Sequence, residues 1–261
     1  MQALNLPHTK SIQKFLALFF SIAYCLTQTQ ASPLSTQETT KIWHPVMGLG
    51  LGGAIPSNLG ESQNATIGLS FYNYSANRSI QTVGLIGLFL GGEVNLQPHW
   101  ALQVGMDYTQ ATPFTVRGSF LQGMSIPSAD AGVYQYSAVT RQLLMVGKLL
   151  YTVKEGFHPY ALVGLGTSFN TASSYVAILP STLSTPSYFD NTAISFSYAL
   201  GFGLDWDMTA QWRLGLGYRF ADLGQLNLGN GVLGSTSISN TLSQSHLYIN
   251  EFLVQLSYVF G

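Results

Sequence analysis

The residues that could support covalent chemistry are few and poorly placed for it. Ser245 and His246 precede Glu251 closely enough to suggest a nucleophile, a base and an acid. Neighbouring residues on a strand point to opposite faces, so Ser245 and His246 cannot easily form a proton-transfer pair. His44, His99 and His158 are scattered, and they sit beside what the pattern below marks as short connections. No group of His, Asp or Glu has metal-ligand spacing, and the glycines of Gly48-Leu49-Gly50-Leu51-Gly52-Gly53 alternate instead of forming a phosphate loop ahead of a helix. The sequence therefore predicts no catalytic residues, no metal and no cofactor. Asn64-Ala65-Thr66, Asn73-Tyr74-Ser75 and Asn77-Arg78-Ser79 match glycosylation sequons, a pattern that Asn- and Ser-rich segments generate readily.

Ionic pairing is the chemistry that remains. Glu93, Asp107, Lys148, Asp205, Arg213, Arg219 and Glu251 supply four acids against three bases, all inside otherwise apolar segments. An unpartnered charge in such surroundings is costly, so a salt-bridge network is expected. Asp205 and Arg213 lie symmetrically about Thr209 and are expected to face each other across a turn, with Arg219 meeting Glu251 further along.

The elements that hold these seven residues follow from composition and period. Only 8% of the 261 residues are charged, against about 25% in soluble domains, while 13% are aromatic and 27 are glycine. That surface would be sticky in water, yet beyond the N-terminus there is no run of about 18 apolar residues to cross a bilayer as a helix. Phe15 to Leu26, preceded by Lys10 and Lys14 and followed by small polar residues, reads as a signal peptide over 1–31, with 32–42 as a lead-in. Tyr24 is too bulky for Cys25 to be a lipidation site. Removing 1–31 takes away the sole cysteine, which suits an oxidising compartment. It also moves the formal charge from −1 to −3, because Lys10 and Lys14 go and no acid does. No basic patch points to nucleic acid.

Apolar residues recur at every second position over strand-length segments. Ile194, Phe196, Tyr198, Leu200, Phe202, Leu204 and Trp206 alternate with small or polar residues. Trp212 to Phe220 and Trp100 to Tyr108 do the same. Weaker examples are Met47 to Ala54, Val83 to Leu96, Val139 to Val153 and Ala161 to Asn170, and Phe252 to Phe260 makes eight. Connections alternate between short ones, at 97–99, 154–159 and 207–211, and long polar ones at about 55–82, 111–137, 171–192 and 222–246. A soluble β-sandwich also alternates, but its strands average about five to six residues. The small and paired-charge face here fits a narrow lumen, so the prediction is an all-β, antiparallel up-and-down transmembrane barrel of about eight strands over 43–261, with four long external loops. Thr66 to Tyr74 is either a further strand, raising the count to ten, or a hairpin in the first loop. Trp43, Trp100, Trp206 and Trp212 share the greasy parity beside the short turns and read as an aromatic girdle.

The terminal pattern Phe252, Val254, Leu256, Tyr258, Phe260 resembles the assembly signal of bacterial outer-membrane barrels, although the chain ends on Gly261 instead of the aromatic. With the glycine-rich first strand, residues 43–261 resemble the small OmpA-type and opacity-type porin family. The resemblance implies a bacterial outer-membrane location, contact with outer-membrane lipid, and assembly machinery and periplasmic chaperones as partners. The length of the four polar external loops points to a surface protein that presents them for adhesion or interaction with a host or cell-surface ligand. A minor porin or hydrophobic-solute channel is the competing expectation, motivated by Leu85, Phe89, Leu144 and Val146 on the lumen face. A lipid A-modifying barrel enzyme is a remote third.

Overall fold

The computed structural model describes residues 43–57, 59–67, 70–123, 130–153, 156–179, 184–238 and 241–260. The signal peptide and lead-in expected over 1–42 lie outside them. All regular structure among the described residues is strand. The first half carries β1 (Trp43–Ser57), β2 (Gln63–Ile67), β3 (Ser70–Asn77), β4 (Val83–Gln97), β5 (Trp100–Ala111), β6 (Phe114–Gly123), β7 (Asp130–Tyr151) and β8 (Phe157–Ile178). Then follow β9 (Ser187–Tyr188), β10 (Asn191–Asp207), β11 (Trp212–Asp222), β12 (Leu226–Asn227), β13 (Gly231–Leu233), β14 (Thr236–Ile238), β15 (Ser243–Gln244) and β16 (Tyr248–Val259).

Eight of these close an antiparallel ring in the order β1-β4-β5-β7-β8-β10-β11-β16, with β16 returning to β1. They are the eight segments expected from alternation. Closure leaves no free edge in this part of the wall. Outward positions are apolar and bare: Leu51 and Phe202 are 64% exposed, Leu49 and Leu216 63%. Inward positions are buried and combine charge, small residues and glycine. Some of the glycines make room for rings that lie across the lumen wall. A Cβ on Gly203 would stand 2.5 Å from the Tyr160 ring and one on Gly217 2.2 Å from its hydroxyl, while Phe89 covers Gly91 and Gly105 in the same way.

Half of the wall continues past the ring. β2 and β3 pair in the register of β1 and β4, Gln63 opposite Tyr74 as Ala54 is opposite Val83. β6 likewise prolongs β5 along β7, with Gln110 opposite Arg141 and Phe114 opposite Ala138. Thr66 to Tyr74 therefore belongs to a hairpin above the ring and adds no strand to it.

The predicted polar loops at 55–82, 111–137 and 171–192 are thus largely strand. The reason is that, with strand parity unchanged, most of the large apolar side chains move to the inward face on leaving the belt. Below Arg141, β7 turns Leu143, Met145 and Leu149 outward; above it the outward residues include Gln135 and Ser137, and Tyr134 and Tyr136 are buried inside. Tyr72, Tyr74 and Phe120 join them, with Tyr74 5.5 Å from Tyr134 and 5.6 Å from Phe120. The segment between β11 and β16 folds back over the mouth: Leu223 and Leu247 bond through their backbones (2.8 Å), as do Leu228 and Leu242 (3.0 Å), and all four side chains are buried.

Candidate functional site

The lumen brings the seven predicted charged residues into two layers. At the short-turn end, Arg213 donates from Nη1 to Glu93 Oε2 (2.6 Å) and from Nε to Asp207 Oδ1 (2.6 Å). Gln103 also donates to Glu93 (2.6 Å), and His158 Nε2 lies 2.7 Å from Asp207 Oδ2 with Thr152 Oγ1 3.0 Å from its other ring nitrogen. Beside them Lys148 donates to Asp205 Oδ2 at 2.6 Å and sits 3.8 Å over the Tyr160 ring. In the upper layer Arg219 is bonded to Glu251 through Nε, to Asp107 Oδ1 through Nη1 (2.9 Å) and to Thr109 through Nη2 (2.9 Å).

One expected pair is corrected. Asp205 does not face Arg213: the β10–β11 hairpin is centred on Ala210, which puts Asp207 opposite Arg213 and Asp205 opposite Gly215. The turn sets this shift, since Met208 N donates to Trp212 O (2.9 Å) and the Thr209 hydroxyl accepts from Trp212 N (3.0 Å). Asp207, His158, Gln103 and Thr109 are members of the network that sequence reading missed. Asp207 and His158 fall in the expected short connections 207–211 and 154–159, while Gln103 and Thr109 share the inward parity of Asp107 but, being uncharged, give no sign of ion pairing.

These contacts cross the lumen. In the ring order β11 and β5 are diametrically opposite, so the Arg219–Asp107 pair spans the full interior. Arg213 on β11 reaches Glu93 on β4 over the intervening β16 and β1. Leu85, Phe89, Leu144 and Val146 are buried in packing, Leu144 completely. The lower layer borders a vestibule of ≈ 210 Å³ at the short-turn end, lined by Glu93, Asp207 and Arg213 among others.

The remaining candidates are dispersed. Trp43, Trp100, Trp206 and Trp212 are all exposed at the short-turn end, with Trp100 against Tyr151 (4.8 Å), Trp206 against Phe157 (5.9 Å) and Trp212 against Tyr258 (5.1 Å). Phe252, Val254, Leu256 and Phe260 face outward on and just beyond β16; Tyr258 packs on Phe260 (4.8 Å), whose N–H donates to the Pro45 carbonyl of β1 (2.9 Å). Ser245, His246 and Glu251 do not converge. Ser245 donates to Glu61, His246 lies 2.8 Å from Asp222, and Glu251 is held by Arg219. The Ser245 hydroxyl holds the Glu61 carboxyl below its ordinary value. Beyond the ring, burial pushes the Tyr74 and Tyr175 phenols far up and that of Tyr134 to about 12.

A closed antiparallel wall with an apolar belt outside and paired charges inside defines a transmembrane β-barrel. The chain belongs to the outer membrane protein beta-barrel domain family, which matches residues 46–260, and its place is the bacterial outer membrane. Solved structures with a similar fold include Neisserial surface protein A (10% identity over 81% of this chain and 96% of that one, TM-score 0.41). Others are OprG of Pseudomonas aeruginosa (13%, 84% and 97%, 0.42) and Ail, the attachment invasion locus protein of Yersinia pestis, in complex with the heparin analogue sucrose octasulfate (12%, 83% and 99%, 0.33). No curated protein matches the sequence.

Proposed function

We propose that this barrel is a non-conducting, non-catalytic anchor that works at the cell surface through the part of its wall standing beyond the membrane. The Arg219–Asp107 contact between opposite strands carries this reading. An eight-stranded interior is only just wide enough for side chains, and a bridge across it leaves no continuous path for solute. The extracellular half-wall and the segment folded over the mouth are packed into the same buried apolar cluster as the barrel interior, which fits a built binding surface better than slack connections. A host or cell-surface ligand is the partner this arrangement suits, with assembly machinery and chaperones acting before insertion. The competing conduit would need the two ionic layers and the packed Leu85, Phe89, Leu144 and Val146 to separate together. The test replaces 58–82 and 223–247 by short turns and measures insertion by heat-modifiable gel mobility alongside attachment of expressing cells. Intact insertion with lost attachment is the expected result; attachment that survives both replacements refutes the proposal.

A further inference from the structure

The described cations divide into two sets. Lys148, Arg213 and Arg219 point inward and each is paired. Arg78, Arg117 and Arg141 are exposed, and none of them makes an ion pair among the described residues. All three lie on one side of the molecule, on or beside β3, β6 and β7; among the described residues the outer faces of β10, β11, β16 and β1 carry no cation.

Their heights follow the lipid boundary. Arg141 sits directly above the outward Leu143 and Met145, with Gln110 and Phe169 as its cross-strand neighbours. Arg117 stands opposite Gln135, six residues further up β7, and opposite Asn77, the neighbour of Arg78. Six residues at about 3.3 Å each, on a strand tilted about 35–45°, put the upper two arginines about 15 Å above the first. At the level of Arg117 and above it an open groove of ≈ 610 Å³ runs over the outer face, lined by Arg117, by polar side chains such as Asn77 and Gln135, and by the apolar Val133, Val176 and Ile178.

We infer that this face binds a phosphorylated glycolipid of the outer leaflet, its acyl chains against the apolar belt, one phosphate at Arg141 and its sugars and further anionic groups in the groove at Arg117 and Arg78. Arginine presents a planar fork that matches phosphate, and clustered bases beside a lipid-facing surface are the usual footprint of anionic headgroup recognition. The groove stands on the same face about 15 Å above Arg141, so a glycolipid anchored in the bilayer with a phosphate at Arg141 meets it with the sugars that extend away from the membrane. Its hydroxyl and amide side chains beside Val133, Val176 and Ile178 offer sugars both hydrogen bonds and apolar contact.

The experiment uses the full-length barrel, folded in micelles and checked by heat-modifiable mobility. It is titrated with a phosphorylated lipid A-type glycolipid, with the same glycolipid stripped of phosphate, and with phosphatidylglycerol, and bound lipid is counted by native mass spectrometry. The phosphorylated glycolipid should bind at least about tenfold more tightly than either control, and R117Q/R141Q should lose about tenfold, as expected when charge-assisted contacts to phosphate are removed. Gln135→Glu, which removes no arginine but places an acid in the groove, should weaken binding as well. Equal binding of the phosphate-free glycolipid, equal binding of phosphatidylglycerol, or folded variants that bind like wild type would each overturn the assignment.

Discussion

Arg213→Ala is the perturbation whose consequence is most fully specified by the lumen. It removes a guanidinium shared by Glu93 and Asp207 and leaves both carboxylates behind. Breaking a buried pair by deleting one partner costs about 3–5 kcal/mol. Glu93 keeps the Gln103 amide at 2.6 Å and borders the vestibule, so the lower end of that range, about 3 kcal/mol, applies. Adding Glu93→Gln should return about 2 kcal/mol, a coupling typical of side chains in direct contact. Adding Asp205→Asn should return nothing and deepen the loss, because it deprives Lys148 of its own partner. Urea unfolding of the barrel in vesicles, followed by tryptophan fluorescence and by gel mobility, reads all four stabilities. Rescue by Asp205→Asn but not by Glu93→Gln would refute the assigned pairing.

Three further outcomes are expected. Leu216→Arg places a base on the bare lipid face and should lower barrel stability by about 2–4 kcal/mol near the midplane; an unchanged folding yield in vesicles would show the facing to be wrong. Gly203→Ala sets a Cβ 2.4 Å from the Leu216 carbonyl and 2.5 Å from Tyr160, so it should cost about 1–3 kcal/mol by overpacking, while Ala199→Gly at a lumen site elsewhere on β10 should give no such clash; equal unfolding midpoints for Gly203→Ala and wild type would argue against the ring-over-glycine packing. The extracellular tyrosines predict a pH effect with a definite sign. The Tyr134 phenol is raised from 10.0 to about 12 in the folded state, so its contribution is complete below pH 10.0 and is lost as the pH climbs toward 12. Phenolate absorbance that rises together with loss of the folded gel band in that window supports the buried cluster, whereas phenols titrating near 10.0 in folded protein would exclude it.

The eight wall strands were legible because lipid outside and a narrow lumen inside impose a strict period of two, clearest in β10 and β11, where Phe202 and Leu216 stand opposite glycine-rich inner faces. The same rule hid the extracellular half-wall. In water the greasy face must turn inward, so Phe114, Val116 and Phe120 look like scattered aromatics and aliphatics in a Ser/Thr-rich stretch once the outward positions become Arg117 and Ser119. The seven lumen charges could be named from parity, and the Arg219–Glu251 contact followed from adjacent antiparallel strands. Contacts such as Arg219–Asp107 and Lys148–Asp205 could not, because they depend on which non-adjacent strands the closed ring sets near or across from one another. The Asp205–Arg213 expectation failed by a two-residue register shift, fixed by hydrogen bonds within the Met208–Trp212 turn that strand alternation does not encode.

Single-channel conductance in a planar bilayer tests the closed lumen most directly, with heat-modifiable mobility confirming that the added protein is folded. The account predicts silence from the wild-type barrel. Reproducible conductance steps from folded protein, altered by Arg219→Ala, would contradict it and make the ionic layers a gate instead of a plug.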